Sequence, residues 1–293
     1  MLTLGDYNTL RIVKSVEFGL YLDGGEEGEI LLPQRYVTKA MHIGDEIEVF
    51  IYLDQEERPV ATTEHPYAKV GEFASLEVAW VNKYGAFLKW GLMKDLFCPF
   101  REQKKRMEQG QHHIVYIKVD EDSYRLMATA KVEKYLTVPT QDDLPALQHG
   151  TEADILVWQK TDLGFKCIVN NKFQGQLYDN QIFQPLHSGS RVKGYIDHVR
   201  QDGKIDITLQ PSGRQQTLDF AEVLLRYLYE NNGYCNLGDK SPAEMIYDRF
   251  QVSKKAYKKA VGDLYMRLTR SGEGMNSGKG PRYPILLRSA RML

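Results

Sequence analysis

The chain is poor in cysteine. Cys98, Cys167 and Cys235 are the only three in 293 residues, and they lie far apart. That spacing excludes a disulfide framework and any CxxC zinc site, and it fits a reducing cytoplasm. No apolar run approaches the roughly 20 residues that a membrane-crossing helix needs. The first residues lack a basic stretch followed by an apolar core, so no secretory leader is expected. A dominant charge is missing too, since 38 Lys and Arg face 39 Asp and Glu. Catalytic signatures are also lacking: there is no P-loop, no GxSxG and no HExxH. His112 and His113 are neighbours on an expected strand, so they point to opposite faces. Asp120-Glu-Asp122 falls at an expected turn, where Asp is favoured for its local hydrogen bonds. A non-enzymatic protein without cofactor or metal is therefore expected.

What the chain does have is a repeated glycine map. Gly5, Gly19 and Gly44 are spaced by 14 and 25 residues. Gly71, Gly85 and Gly110 repeat those steps, and so do Gly150, Gly164 and Gly189. Glycine marks positions where backbone must bend tightly or take positive φ. Three identical maps predict three copies of one small fold. The copies differ in charge. Residues 1–64 hold 5 Lys and Arg against 13 Asp and Glu, a net −8. Residues 65–137 are +3, 138–211 are −2 and 212–293 are +6. An acidic start and a basic end hint at nucleic acid, although a mosaic of solvated surfaces gives the same asymmetry.

Each copy reads as five short strands. Leu10–Val16, Leu76–Val81 and Ala153–Trp158 are β-branched and aromatic, with partial alternation. The middle glycine then interrupts an aromatic stretch, as in Tyr84-Gly85-Ala86-Phe87, which predicts a bulge or barrel corner. Gln34–His42 and Phe100–Gln109 fill a longer connection expected to hold a helical turn. Five strands in roughly 65 residues fit a small closed barrel, which leaves no open edge. The order of elements favours the five-stranded OB barrel over an SH3-like one.

A strand, an aromatic-Gly-Ala-Phe and a later Gly-Asp resemble the S1 type of OB barrel. Ile30-Leu-Leu-Pro33, Val49-Phe-Ile-Tyr52 with Asp54, Arg58–Thr63, Gly71-Glu-Phe-Ala74, and Trp90-Gly-Leu with Lys94-Asp-Leu96 resemble the bacterial CvfB (conserved virulence factor B, YitL-like) family. The resemblance covers residues 1 to about 270. It implies a mainly β protein with an α-rich C-terminus: three tandem S1-like OB-fold barrels over 1–64, 65–137 and 145–211, followed by a winged-helix domain over 215–293. It also implies RNA binding and post-transcriptional control of gene expression.

In S1 barrels two matching aromatics form a base-stacking platform. Here those positions are Phe18 and Tyr21, then Tyr84 and Phe87, then Leu163 and Lys166. A bulge at the intervening glycine would let each pair share one face. A third platform position falls at Leu31, Phe97 and Tyr178. Stacking needs a basic groove beside it for the phosphates. The first copy has the aromatics but a −8 field, which suits a structural or protein-docking unit. The second has Tyr84, Phe87 and Phe97 with Lys83, Lys89, Lys94 and Arg101 nearby, and is the expected site for single-stranded RNA. The third departs from the pattern, with Leu163 and Lys166 at the two aromatic positions, although Phe165 and Tyr178 could still stack with Lys160, Lys172 and Arg191 nearby. Barrel interiors also take Phe and Tyr, so each ring has a core reading beside the binding one.

After Leu209 the pattern becomes helical. Gln210–Gln216 reads as a linker, followed by a helix from Thr217 or Asp219 to Tyr229 with Phe220, Val223, Leu224 and Leu228 inward. Ser241-Pro-Ala-Glu244 has the form of a capping box. Ser253 is expected to cap a third helix with Tyr257, Val261, Leu264 and Leu268 inward. Helix, turn and capped helix make a helix-turn-helix. Lys254, Lys255, Lys258 and Lys259 form a basic side on it, which reads equally as an ordinary solvated face or as a phosphate contact without base-reading residues. A DNA-binding transcriptional regulator led by this domain, and a protein-docking adaptor, are the alternatives. Ser271–Gly280 reads as flexible; Tyr283–Leu287 could form a wing strand, which Pro281 and Pro284 confine to an edge, or the stretch diverges from a wing.

Overall fold

The structure, a computed structural model, describes residues 2–182, 185–209, 214–231, 234–238, 240–250 and 252–270. The first barrel comprises β1 (Tyr7–Val16), β2 (Gly19–Asp23), β3 (Glu29–Pro33), β4 (Glu46–Leu53) and β5 (Pro59–Thr62). The second comprises β6 (Phe73–Val81), β7 (Gly85–Lys89), β8 (Leu96–Pro99), β9 (His112–Val119) and β10 (Leu126–Thr129). The third comprises β11 (Glu152–Thr161), β12 (Gly164–Val169), β13 (Phe173–Tyr178), β14 (Arg191–Val199) and β15 (Ile205–Thr208). All three close in the same order, with the fifth strand between the third and the fourth. That is the OB arrangement expected from the repeat. The helical turns between third and fourth strands are single 3₁₀ turns, at Gln34–Tyr36, Phe100–Glu102 and Asp179–Gln181.

The glycine register acts through the backbone. The N–H groups of Gly5, Gly71 and Gly150 donate to the carbonyls of Ile51, Ile117 and Ile196 at 2.8, 2.9 and 2.8 Å. Those of Gly44, Gly110 and Gly189 donate to Ile12, Val78 and Val157 at 2.8, 2.9 and 2.8 Å. The middle glycines have a steric role. A Cβ on Gly19, Gly85 or Gly164 would lie 2.2, 2.4 or 2.0 Å from the carbonyl oxygen of Leu32, Cys98 or Leu177 on the next strand. Only a residue without a side chain admits that approach.

The bulge lies elsewhere than expected. From Gly19, Gly85 and Gly164 onward the second strands pair regularly. The register shift is on the preceding strand, between Ile12 and Lys14, Val78 and Trp80, and Val157 and Gln159. Alternation then does the rest: Ala86 and Leu88 are buried while Phe87 between them faces out.

Both seams between barrels are packed. Phe50, Tyr52 and Val60 of the first barrel join the core of the second, where Phe50 meets Trp90 edge to face at 5.9 Å. Lys69 pairs with Asp6 at 2.7 Å, and Val70 N–H donates to the Gly5 carbonyl at 2.9 Å. Between the second and third barrels, Phe73, Ile114 and Val132 pack with Leu156, Trp158 and Ile168. Arg191 donates to the Phe73 carbonyl at 2.6 Å, and Asn171 accepts from Phe73 N–H at 2.7 Å.

Among the described residues three helices follow: α1 (Arg214–Glu230), α2 (Ala243–Phe250) and α3 (Lys254–Arg270). The first starts at Arg214, three residues before the expected Thr217, inside the stretch read as linker. Phe220, Leu224 and Leu228 are buried as expected, but Val223 is exposed and Ala221 takes its place in the core. Tyr257, Val261 and Leu264 of α3 close that core. Ser253 caps α3 by accepting from Ala256 N–H at 3.2 Å. The Ser241 hydroxyl, expected as the cap of α2, accepts from Gly238 N–H upstream at 2.9 Å. The Leu268 side chain and the wing expected at Tyr283–Leu287 lie outside the described residues.

Candidate nucleic-acid interface

A cleft of about 850 Å³ opens between the first and second barrels. Its floor is aromatic. Trp80 and Phe87 are cross-strand partners through the bulge of β6, and their rings stack at 3.7 Å with 3° between planes. Phe87 in turn pairs with Phe97 on β8, with centroids 4.9 Å apart. The ladder is accessible, since Trp80 is 43% exposed. Asp95 accepts from the indole N–H at 3.0 Å and fixes the ring. Tyr84 stands at the rim, 62% exposed. It is presented by a turn in which the Asn82 side chain accepts from the N–H groups of Tyr84 and Gly85 at 2.8 and 3.1 Å. Lys83 lies over the Tyr84 ring at 5.0 Å. Tyr52, Leu53, Gln55 and Glu57 of the first barrel form the facing wall.

Tyr84, Phe87 and Phe97 are thus brought together as expected, and Trp80 is the ring that sequence reasoning missed. In a regular strand its position would not face Phe87, and the bulge that turns it leaves no mark in residue type.

The cations around the cleft are more committed than their spacing implied. Lys94 donates to the Asp54 carbonyl at 2.6 Å and approaches Glu57 at 3.4 Å, so it ties the two barrels together. Arg125 reaches the same Glu57 at 3.4 Å. Lys89 is paired with Glu77 at 2.7 Å, which raises the lysine pKa and lowers the carboxyl pKa. Arg101 lines the cleft and lies 3.4 Å from Asp120. The Ser123 hydroxyl, with Arg101 beside it, holds the Asp120 carboxyl below its usual range. Asp120 thus belongs to a hairpin turn, as expected. Lys83, Lys105 and Arg106 have no carboxylate partner among the described residues.

Strand register places the matching face of the other barrels. In the first, Lys14, Tyr21 and Leu31 are aligned, and Phe18 meets Tyr21 edge to face at 6.2 Å. In the third, the aligned trio is Gln159, Lys166 and Gln176. Tyr178 is not the third platform residue: it pairs with Gly164, and its hydroxyl accepts from Arg200. Phe165 is not a stacking surface either. It is 7% exposed in the core of the third barrel, because alternation from Gly164 sends it inward.

The remaining chemistry is quiet. The three cysteines are free, and burial pushes the Cys98 and Cys167 thiols up to about 12. Among the described residues no group of His, Cys, Asp and Glu could hold a metal ion, and no helix is long and apolar enough to cross a membrane. Lys255, Lys258 and Lys259 are exposed on α3, and Lys254 is half-buried.

Comparison with known proteins agrees with this architecture. Residues 4–64 match the S1 domain family, and residues 222–268 match the CvfB-like winged helix domain. The protein YitL of Bacillus subtilis (strain 168) is 29% identical over 271 residues, spanning 89% of this chain and 88% of YitL. Conserved virulence factor B of Staphylococcus epidermidis is 24% identical over 274 residues, spanning 87% and 91%. The chain is a relative of YitL and CvfB. The first barrel is therefore an S1 domain, and α1–α3 are the helices of a winged-helix domain. A solved multidomain protein with nucleic acid binding domains from Streptococcus pneumoniae aligns over 94% of this chain and 96% of that one, at 19% identity and a TM-score of 0.41.

Proposed function

We propose that this protein binds single-stranded RNA in the cytoplasm as a non-enzymatic, post-transcriptional regulator. The observation that carries this reading is the Trp80–Phe87–Phe97 ladder, with Tyr84 at its rim, open in a cleft on the strand face of an OB barrel. Three packed rings cost a protein solubility unless something apolar and flat covers them, and a nucleobase does so. Stacking one base contributes about 1–3 kcal/mol and tolerates sequence. Duplex bases are already stacked and are not available to the ladder, so single strands are preferred.

The first barrel serves as a wall more than as a binder. Its −8 charge repels phosphate, while Tyr52 and Leu53 complete the cleft. The winged helix supplies Lys254, Lys255, Lys258 and Lys259, which suit phosphate contact and carry no base code.

Fluorescence anisotropy with single-stranded RNA, double-stranded RNA and duplex DNA, each titrated with salt, tests the reading. Single-stranded RNA is expected to bind tightest, and affinity is expected to fall as salt rises because neutralised phosphates release counterions. No RNA binding at low salt rejects the reading. Preference for duplex DNA would turn it toward a transcriptional regulator led by the winged helix.

A further inference from the structure

The segment between β8 and β9 joins two strand faces that the sequence treats as separate. It leaves β8 two residues after Phe97, and its second residue, Arg101, lines the aromatic cleft. Arg101 also accepts, through its carbonyl, from the Lys131 ammonium. Three residues on, Lys104 reaches across the seam and lies over the Trp158 ring of the third barrel at 5.0 Å. Lys166 approaches the same ring at 5.8 Å. Trp158 is the bulge residue of β11, next to Gln159. Gln159, Lys166 and Gln176 occupy the register positions that Trp80, Phe87 and Phe97 occupy in the second barrel. The third barrel therefore presents a cation and two amides where the second presents three rings. Lys105 and Arg106 lie on the same segment, exposed and without a carboxylate partner among the described residues.

We propose that this segment is the middle of one continuous RNA track. Bases stack in the cleft of the second barrel. The phosphates then cross the seam on Arg101, Lys104 and Lys105, and the strand continues over Gln159, Lys166 and Gln176. There it is held by charge and amide hydrogen bonds to phosphate and ribose, without stacking. Lys104 is paired with Glu133 in the free protein, so RNA exchanges one anionic partner for another. The proposal rests on RNA binding at the aromatic cleft and adds its direction and its second half.

The test compares two oligouridines, one of about 4 nucleotides, the low end of a single OB site, and one of about 12, three times that length. Both are measured by anisotropy against the full chain and against Lys104→Ala with Lys166→Ala. The short oligonucleotide is expected to bind both proteins alike. The long one is expected to lose on the order of ten-fold in affinity, and its salt slope is expected to fall by about 0.7 for each lysine removed. Lys104→Arg with Lys166→Arg keeps both charges and is expected to bind the long oligonucleotide as wild type does, which separates lost contact from damaged packing around Trp158. If the alanine pair leaves the long oligonucleotide's affinity and salt slope unchanged while both oligonucleotides bind wild type, the track is overturned and the cleft reading stands. If neither oligonucleotide binds wild type, the cleft reading itself fails and the track falls with it.

Discussion

The second and third barrels share strand order, bulge position and glycine placement, yet aligned positions on one face carry unlike chemistry. Trp80, Phe87 and Phe97 face out of the second, and Gln159, Lys166 and Gln176 out of the third. Inside, the difference reverses. The inward residue after the middle glycine is Ala86 in the second barrel and Phe165 in the third. Aromatic mass that one copy places on its outer face the other places in its core. Backbone constraints thus set where a side chain points, and they leave open which copy stacks bases.

The largest expected effects test that inversion. Phe165→Ala leaves a cavity in the third barrel and should cost about 3–5 kcal/mol of stability, read as a lowered denaturation midpoint. RNA affinity of the folded protein should hold. A selective loss of RNA affinity with unchanged stability would return Phe165 to the surface. Tyr84→Ala with Phe87→Ala should do the opposite. It removes stacking for one or two bases and should weaken single-stranded RNA by on the order of 100-fold in anisotropy. Unchanged affinity would take the second barrel out of the site.

Much of this comparison is legible in the sequence, and the illegible part has a physical cause. Nine glycines at fixed spacing disclosed three equal barrels, because each answers a backbone demand that no other residue meets as well. The rim and two rungs of the aromatic ladder were legible for the same reason, since Tyr84, Phe87 and Phe97 are tied to Gly85 and Pro99. Trp80 was not, because a bulge changes facing without changing residue type. The aligned position in the third barrel is Gln176, two residues before Tyr178, and only the pairing of Gly164 with Tyr178 reveals it. The lysines were the least legible. Lys94 meets Asp54 and Glu57 across 40 and 37 residues of sequence, and no local pattern announces such a tie.

That tie gives the next, smaller effect. Lys94→Ala removes a hydrogen bond across the seam and no phosphate contact. RNA affinity should fall only a few-fold, through a loosened wall, with the salt slope unchanged. Lys83→Ala, at the cleft rim beside Tyr84, should lower the slope by about 0.7. Equal slope changes in the two variants would put Lys94 back among the phosphate ligands.

The smallest effect is expected from the winged helix. Lys258 and Lys259 are exposed near the start of α3, and α3 carries no Asn, Gln or Arg cluster at its N-terminal end. Lysine ammonium groups are point charges that recognise phosphate and not base edges. Lys258→Ala with Lys259→Ala should therefore weaken RNA uniformly by a few-fold, with the same ratio for uridine-rich and adenine-rich strands. A change confined to one sequence would mean that α3 reads bases, and the division of labour between a stacking barrel and charge-holding neighbours would have to be redrawn.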